Sequence, residues 1–200
     1  METKKNNFNL FVDSYLTNLC ALFTEEKKEQ IHELAKNLKE AWINGNRIYI
    51  CGNGGSAGNA IHIANDFIYG TGACGNPPQM PGLKVTALTS NPAVLTCLAN
   101  DTGFENIFSH QVDVQADKND ILIVLSGSGN SKNIVKALEM ANLRGLKTFA
   151  ILAFDGGKCI NIAQYPIHFE VNDMQIAEDL QLIIGHLCMQ WLSLNKPKIN

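Results

Sequence analysis

Twice in this chain a short, nearly unbroken apolar run stops at a turn of small residues and continues as a helix. Arg47-Ile48-Tyr49-Ile50-Cys51 meets Gly52-Asn53-Gly54-Gly55-Ser56, with a helix from about residue 56. Asp120–Leu125 meets Ser126-Gly127-Ser128-Gly129-Asn130-Ser131, with a helix over about 131–144. A strand without polar alternation is buried on both faces, and parallel strands need helical crossovers. Three further apolar runs follow the same logic: Leu83–Leu88, with a helix after Asn91-Pro92, then Thr148–Ala153 and Tyr165–Val171. A last helix covers roughly 175–193. The pattern predicts an α/β fold with a parallel sheet covered on both faces.

Two helical stretches precede the first strand. Residues 7–23 carry Phe8, Leu10, Phe11, Tyr15, Leu16, Leu19 and Leu22. Residues 25–44 carry Ile31, Leu34, Ala35, Leu38 and Trp42 at helical spacing, and Asn44-Gly45-Asn46 ends them. A hairpin in this position cannot easily bury both apolar faces by itself, which points to packing across a subunit interface. Segment 70–82, rich in glycine and proline, is a loop. No linker interrupts the chain, so residues 1–200 are taken as a single domain in which 1–45 form the helical hairpin.

The 200 residues suffice for one α/β core. A formal net charge of −3, with Lys4-Lys5 and Lys27-Lys28 as the only basic clusters, argues against a nucleic-acid surface. No apolar run approaches the roughly 20 residues that cross a bilayer, and the polar N-terminus lacks the core of a signal peptide. The cysteines at 20, 51, 74, 97, 159 and 188 are scattered without metal-knuckle spacing. Cys51 and Cys97 lie in apolar segments and are expected as reduced core residues, which fits a cytoplasmic protein.

Both small-residue turns suit an anion. Glycine lets backbone N–H groups approach closely and tolerates positive φ. Ser56 and Ser131 stand where a helix N-cap belongs, and the free N–H groups of the turn that follows favour negative charge. Ser126, Ser128 and Ser131 add hydroxyl donors. Neither turn carries the Gly-Lys-Ser/Thr of a nucleotide loop, and neither is GxGxxG. A single turn of this kind is equally well explained as a capped βα junction. Two at the carboxyl ends of strands in one sheet point to a phosphate site.

With both turns in view, the chain resembles a sugar isomerase (SIS) domain protein of the phosphoheptose isomerase type. The resemblance rests on CGNGGS and the helix Ala57–Ile68, on Ala99-Asn100-Asp101-Thr102-Gly103-Phe104-Glu105, on LSGSGNS, on Asp155-Gly156-Gly157-Lys158 and on Ile183-Ile184-Gly185-His186. It implies a flavodoxin-like three-layer α/β/α sandwich with a five-stranded parallel sheet, assembled as a homotetramer. The implied activity interconverts sedoheptulose 7-phosphate and D-glycero-heptose 7-phosphate for surface polysaccharide synthesis, with one zinc per subunit. Some relatives of this type are not enzymes and bind replication initiators. The alternatives for this chain are an isomerase of another phosphorylated sugar, or a non-catalytic SIS protein that binds a replication initiator or senses a sugar phosphate.

By resemblance, Asn53, Gly54, Ser56, Asp101, Ser126, Gly127, Ser128 and Ser131 contact phosphate or sugar. His186 falls on the catalytic histidine, His62 on a metal ligand and Asp66 on the catalytic glutamate. Glu178 falls on a glutamine, Gly70 on an arginine, Gln175 on an aspartate, and Gly127 where threonine is common. The departures at Asp66, Gly70, Gln175 and Glu178 touch the sugar end of the pocket.

His62 and Asp66 are four apart in the expected helix and share a face. Glu178 and His186 are eight apart, within about 80° around a helix. The four are expected to form a tetrahedral zinc site, the second carboxylate tightening the ion. Asp66, His186 and Glu178 are the candidates for proton transfer through an enediol. Bland readings stand beside these. Each histidine has apolar neighbours that suit a core residue, Asp66 can be a solvated face beside Asn65, and Glu178 can be helix-start charge. His32, His110 and His168 have no site context.

Overall fold

The computed structural model describes residues 7–198. Lys4-Lys5 therefore lies outside the described residues. The chain opens with α1 (Phe8–Ala21) and α2 (Glu25–Asn44), followed by β1 (Arg47–Gly52), α3 (Gly55–Asn65) and a π-helical turn, Asp66–Gly70. Next come β2 (Lys84–Ala87), α4 (Pro92–Thr102), a 3-10 turn (Phe104–Asn106), α5 (Ser109–Gln115), β3 (Ile121–Ser126) and α6 (Lys132–Leu143). The chain ends with β4 (Lys147–Leu152), α7 (Cys159–Ile162), β5 (Tyr165–His168) and α8 (Met174–Leu194).

All five strands pair in parallel, in the order β2-β1-β3-β4-β5. Side chains alternate across the sheet, so each strand feeds two cores. Ile48, Ile50, Ile121, Ile123 and Leu125 face α2, α3 and α8. Tyr49, Cys51, Leu122 and Val124 face α5, α6 and α7. The result is the three-layer α/β/α sandwich. Strand order reverses between β1 and β3, which lie side by side in register from Ile48↔Ile121 to Gly52↔Leu125. The two small-residue turns follow these two strands, so the reversal sets them facing one another across the crevice where open α/β sheets bind ligands.

The helix after β1 is shorter than the expected Ala57–Ile68, because the backbone widens into the π turn at Asp66. β5 ends at His168 rather than Val171: the chain bends where Val171 O accepts from Phe154 N at 3.0 Å. The seven-residue α5 has no apolar stripe to announce it, only the buried Val112 and the polar Ser109 and Gln111.

Helix α2 closes with Gly45 at φ 71, a left-handed cap that glycine accepts without a Cβ clash. It buries Ile31, Leu34, Ala35, Leu38 and Ala41. Helix α1 differs, because it has no buried residue and exposes Phe8, Leu10, Phe11 and Leu16. Its tether is the Tyr15 hydroxyl, which donates to Asp179 on α8 at 2.6 Å. Burial, with the Asp179 hydrogen bond and charge behind it, pushes the Tyr15 hydroxyl up to about 12.

Cys97 corrects the sequence expectation. It is exposed on α4, a helix with no buried residue, and its thiol donates to Asp101 at 3.5 Å. Cys51 is fully buried, as its strand position requires.

Candidate active site

The first turn carries the chain from β1 into α3 through Gly54, whose φ of 56 suits glycine. Helix α3 begins at Gly55 with Gly54 as its cap, so Ser56 is not the N-cap expected from sequence; it stands inside the first helical turn. Ser56 is 5% exposed, and among the described residues its hydroxyl has no partner.

The second turn is already organised. The Ser126 hydroxyl accepts from Gly129 N at 3.1 Å, and the Ser128 hydroxyl accepts from Asn130 N at 3.3 Å. Each oxygen is thereby fixed by an accepted bond, which leaves its O–H free to donate to an anion. Ser131 is the N-cap of α6, but its hydroxyl makes no cap bond. In that first turn Ile134 N donates to Ser131 O at 3.0 Å, while among the described residues the N–H groups of Lys132 and Asn133 stay open.

Two contacts hold the turns in place. Asn53 and Asn133 exchange side-chain amide bonds, at 2.9 Å in one direction and 2.8 Å in the other, tying the first turn to α6. Asn133 is 2% exposed, and the sequence reading missed it. An asparagine in the first turn of a helix gives no sequence signal for a partner 80 residues away. Beneath the second turn, Gly157 fits where any Cβ would lie 2.4 Å from Ser128 O. Lys158 N donates to the Asn130 side chain at 3.2 Å.

The candidate acid/base group lies at the other end of α3. Helices α3 and α8 run side by side in the same direction. Glu178 lies against Gly55 at one end, and Asn59 donates to Gln181 Oε1 and Glu178 O, both at 3.0 Å, in the middle. At the far end, Gly185 packs so tightly on Ile63 that a Cβ there would lie 2.6 Å from Ile63 Cγ1. That contact brings the neighbouring residues together. His62 Nε2 and His186 Nε2 are 2.9 Å apart, and Asp66 Oδ2 lies 3.5 Å from the first and 3.4 Å from the second. Neither histidine is a buried core residue: His62 is exposed and His186 half-buried.

These atoms could hold a metal ion, since one ligand atom from each residue lies within 4.8 Å of the others. Two imidazole nitrogens and a carboxylate oxygen are the donor set of many catalytic zinc centres, whose tetrahedral geometry spaces ligand nitrogens about 3.3 Å apart. The residues present fit such an ion.

Glu178 lies outside this group of three in the structure. Eight residues bring two side chains near one another around a helix but separate them by about 12 Å along its axis. The Glu178 carboxylate instead lies over the first turn of α3, where a Cβ on Gly55 would be 2.4 Å from either oxygen. Asp101 also stands apart, exposed on α4 and accepting from Asn100 at 2.7 Å. Gly127 is covered by Met174, whose Sδ would lie 2.8 Å from a Cβ at that position. Gly70 backs onto Met189, and Gln175 lies exposed in the first turn of α8.

The SIS domain family matches residues 13–153. A phosphoheptose isomerase from Trichlorobacter lovleyi is 35% identical over 180 residues, 88% of this chain and 89% of the relative. Another, from Aneurinibacillus thermoaerophilus, is 36% identical over 166 residues, 83% of this chain and 81% of the relative. The solved phosphoheptose isomerase from Neisseria gonorrhoeae superposes with a TM-score of 0.80 at 25% identity, over 93% of this chain and 98% of that one. The chain belongs to the SIS domain family and, within it, to the phosphoheptose isomerases.

Proposed function

We propose that the protein isomerises sedoheptulose 7-phosphate and D-glycero-heptose 7-phosphate. The observation that carries this reading is the pairing of α3 with α8, which sets the small-residue turn at the start of α3 and the His62/Asp66/His186 cluster at its other end. The spacing supports a long substrate. His62 lies six residues along α3 from Ser56, about 9 Å of helical rise. In an extended seven-carbon phosphate ester, about seven bonds, roughly 8 Å, separate phosphorus from C2.

In this reading Ser126, Ser128 and Ser131 donate to the phosphate, with Gly127 giving its backbone room. Asn53, Gly54 and Ser56 line the facing turn, and the sugar contact of Asp101 rests on the resemblance alone, since it lies exposed on α4. Asp66 and His186 divide the proton transfer, one removing the proton beside the carbonyl and the other returning it to the neighbouring carbon. A 3.4 Å separation lets both reach one enediol. Asp66 is one methylene shorter than glutamate, and its place four residues beyond His62, at the start of the π turn that follows α3, still brings its carboxylate to the imidazoles. A zinc ion held by His62, Asp66 and His186 would be an alternative use of the same atoms, supplying Lewis-acid polarisation of the substrate carbonyl in place of proton transfer by the ligand nitrogen.

The exposed apolar residues of α1 support assembly of the hairpins into a homotetramer, measurable by light scattering. Free cysteines throughout the described residues fit a reducing cytoplasm. Among the described residues no helix is long and apolar enough to cross a membrane.

The test is conversion of sedoheptulose 7-phosphate by purified protein with and without added zinc. Turnover that vanishes in His186→Ala supports the reading. No turnover under conditions where a known isomerase works rejects it.

A further inference from the structure

His168, the last residue of β5, holds the segment on which the Ser126–Ser131 turn rests. That segment follows β4 and is bonded to the turn at three points. Ala153 N donates to Gly127 O at 3.0 Å, Cys159 N to Gly129 O at 3.1 Å and Lys158 N to the Asn130 side chain at 3.2 Å. Backbone also meets backbone: a Cβ on Gly129 would collide with Gly156 O, and one on Gly157 with Ser128 O. The turn can keep its shape only while this segment keeps its own. Phe154, Gly156 and Gly157 have φ of 51, 76 and 52. The two glycines accept this left-handed region, but a phenylalanine stays there only where its surroundings enforce it. Two bonds do so. Phe154 N donates to Val171 O at 3.0 Å, and His168 Nε2 lies 2.9 Å from Phe154 O. A carbonyl can only accept, so Nε2 carries the proton and donates. The same ring backs Gly156, where a Cβ would lie 3.3 Å from His168 Cδ2.

We propose that His168 is a positioning residue for phosphate binding: its bond to Phe154 O keeps Phe154 left-handed, and with it the backbone that shapes the Ser126–Ser131 turn. His168 acts through other residues and does not touch substrate. It lines a cavity with Thr24, Lys27 and Gln30 of the helical hairpin. The line of contact to the turn is short. Phe154 Cε2 lies 3.5 Å from where a Cβ on Gly127 would stand, and Gly156 O lies against Gly129. Without the imidazole donor, Phe154 O loses its partner and Phe154 is free to relax towards an ordinary φ. That rotation draws Gly156 away from Gly129 and shifts the ring beside Gly127. The loss falls on the phosphate end alone, because His62, Asp66 and His186 stand on α3, the π turn and α8. The inference rests on the phosphosugar reading above only for the identity of the anion.

The experiment titrates inorganic phosphate calorimetrically into wild type, His168→Leu, His168→Asn and His168→Gln, with a urea midpoint for each. A glutamine amide nitrogen reaches the place of Nε2, an asparagine amide stops one methylene short, and leucine has no donor. His168→Leu and His168→Asn are expected to bind phosphate about tenfold more weakly, the change that one lost hydrogen bond brings to a binding constant. His168→Gln should stay within about twofold of wild type. With sedoheptulose 7-phosphate the same ranking is expected in KM, while kcat holds. If His168→Leu does not fold, the asparagine and glutamine variants decide. Phosphate affinity in His168→Asn within twofold of wild type overturns the proposal, as does a His168→Gln variant as weak as His168→Asn, or a loss carried by kcat. A wild type that binds no phosphate also overturns it. One that binds phosphate but leaves sedoheptulose 7-phosphate unchanged rejects the isomerase reading alone.

Discussion

Gly185→Ala should separate folding from function. Gly185 stands beside His186, and Ile63 beside His62, so the glycine-to-isoleucine contact sets the distance between the two imidazoles. An added Cβ would lie 2.6 Å from Ile63 Cγ1 and 2.9 Å from Cδ1. Ordinary carbon contact begins near 3.5 Å, so α3 and α8 must part by about 0.9 Å. Alanine gains about 1 kcal/mol of helix propensity, while overpacking costs about 1–3 kcal/mol. The net loss of stability is thus at most about 2 kcal/mol, and the protein stays folded.

The histidines fare worse. A misplacement of this size costs about 100-fold where reacting groups must align. Urea denaturation, zinc content and turnover should be measured together. The expected result is a small shift in midpoint, weakened zinc binding and a fall in kcat/KM of about two orders of magnitude. Turnover within twofold of wild type would refute the claim that this contact positions the site.

Three further predictions follow from individual side chains. Asn133→Ala leaves Asn53 without its reciprocal partner and should cost about 1–3 kcal/mol, raising KM for the sugar phosphate more than it lowers kcat. Tyr15 holds its proton more tightly in the fold than in the unfolded chain. Its contribution is therefore full below the ordinary value of 10.0 and lost as pH rises towards about 12. Alkaline denaturation should accordingly be shallower across that window in Tyr15→Phe. Burial pushes the thiol of Cys159 up to about 11 and that of Cys188 up to about 12, and it raises Cys51 further. Iodoacetamide should then modify the exposed Cys20 and Cys74 in the native protein, Cys97 more slowly because the Asp101 hydrogen bond raises it, and the buried three only on unfolding. Mass spectrometry reads the order, and rapid native labelling of Cys51 would contradict it.

Where burial is uniform, the sequence spoke clearly. The apolar runs at β1 and β3 announced central strands because nothing polar survives between two covered faces, and the glycine turns marked where they end. α5 was hidden because seven mostly polar residues acquire their helix from packing of Val112, not from periodicity. The site was legible where chemistry is local: His62 and Asp66 share a helix face whatever the fold. Glu178 was legible only by its angle around α8, while its position against Gly55 at the start of α3 comes from the packing of the two helices. Asn133 was invisible because its partner is set by the strand order, which only the folded sheet reveals.

The central claim is that Asp66 and His186 move a carbon-bound proton through an enediol at the far end of a phosphate crevice. Running the reaction in deuterium oxide and following sedoheptulose 7-phosphate by proton NMR tests it most directly. The account predicts a heptose 7-phosphate carrying solvent deuterium at the carbon beside the carbonyl, with no exchange in His186→Ala. Recovery of unchanged sedoheptulose 7-phosphate without deuterium, or undiminished exchange in His186→Ala, would contradict it.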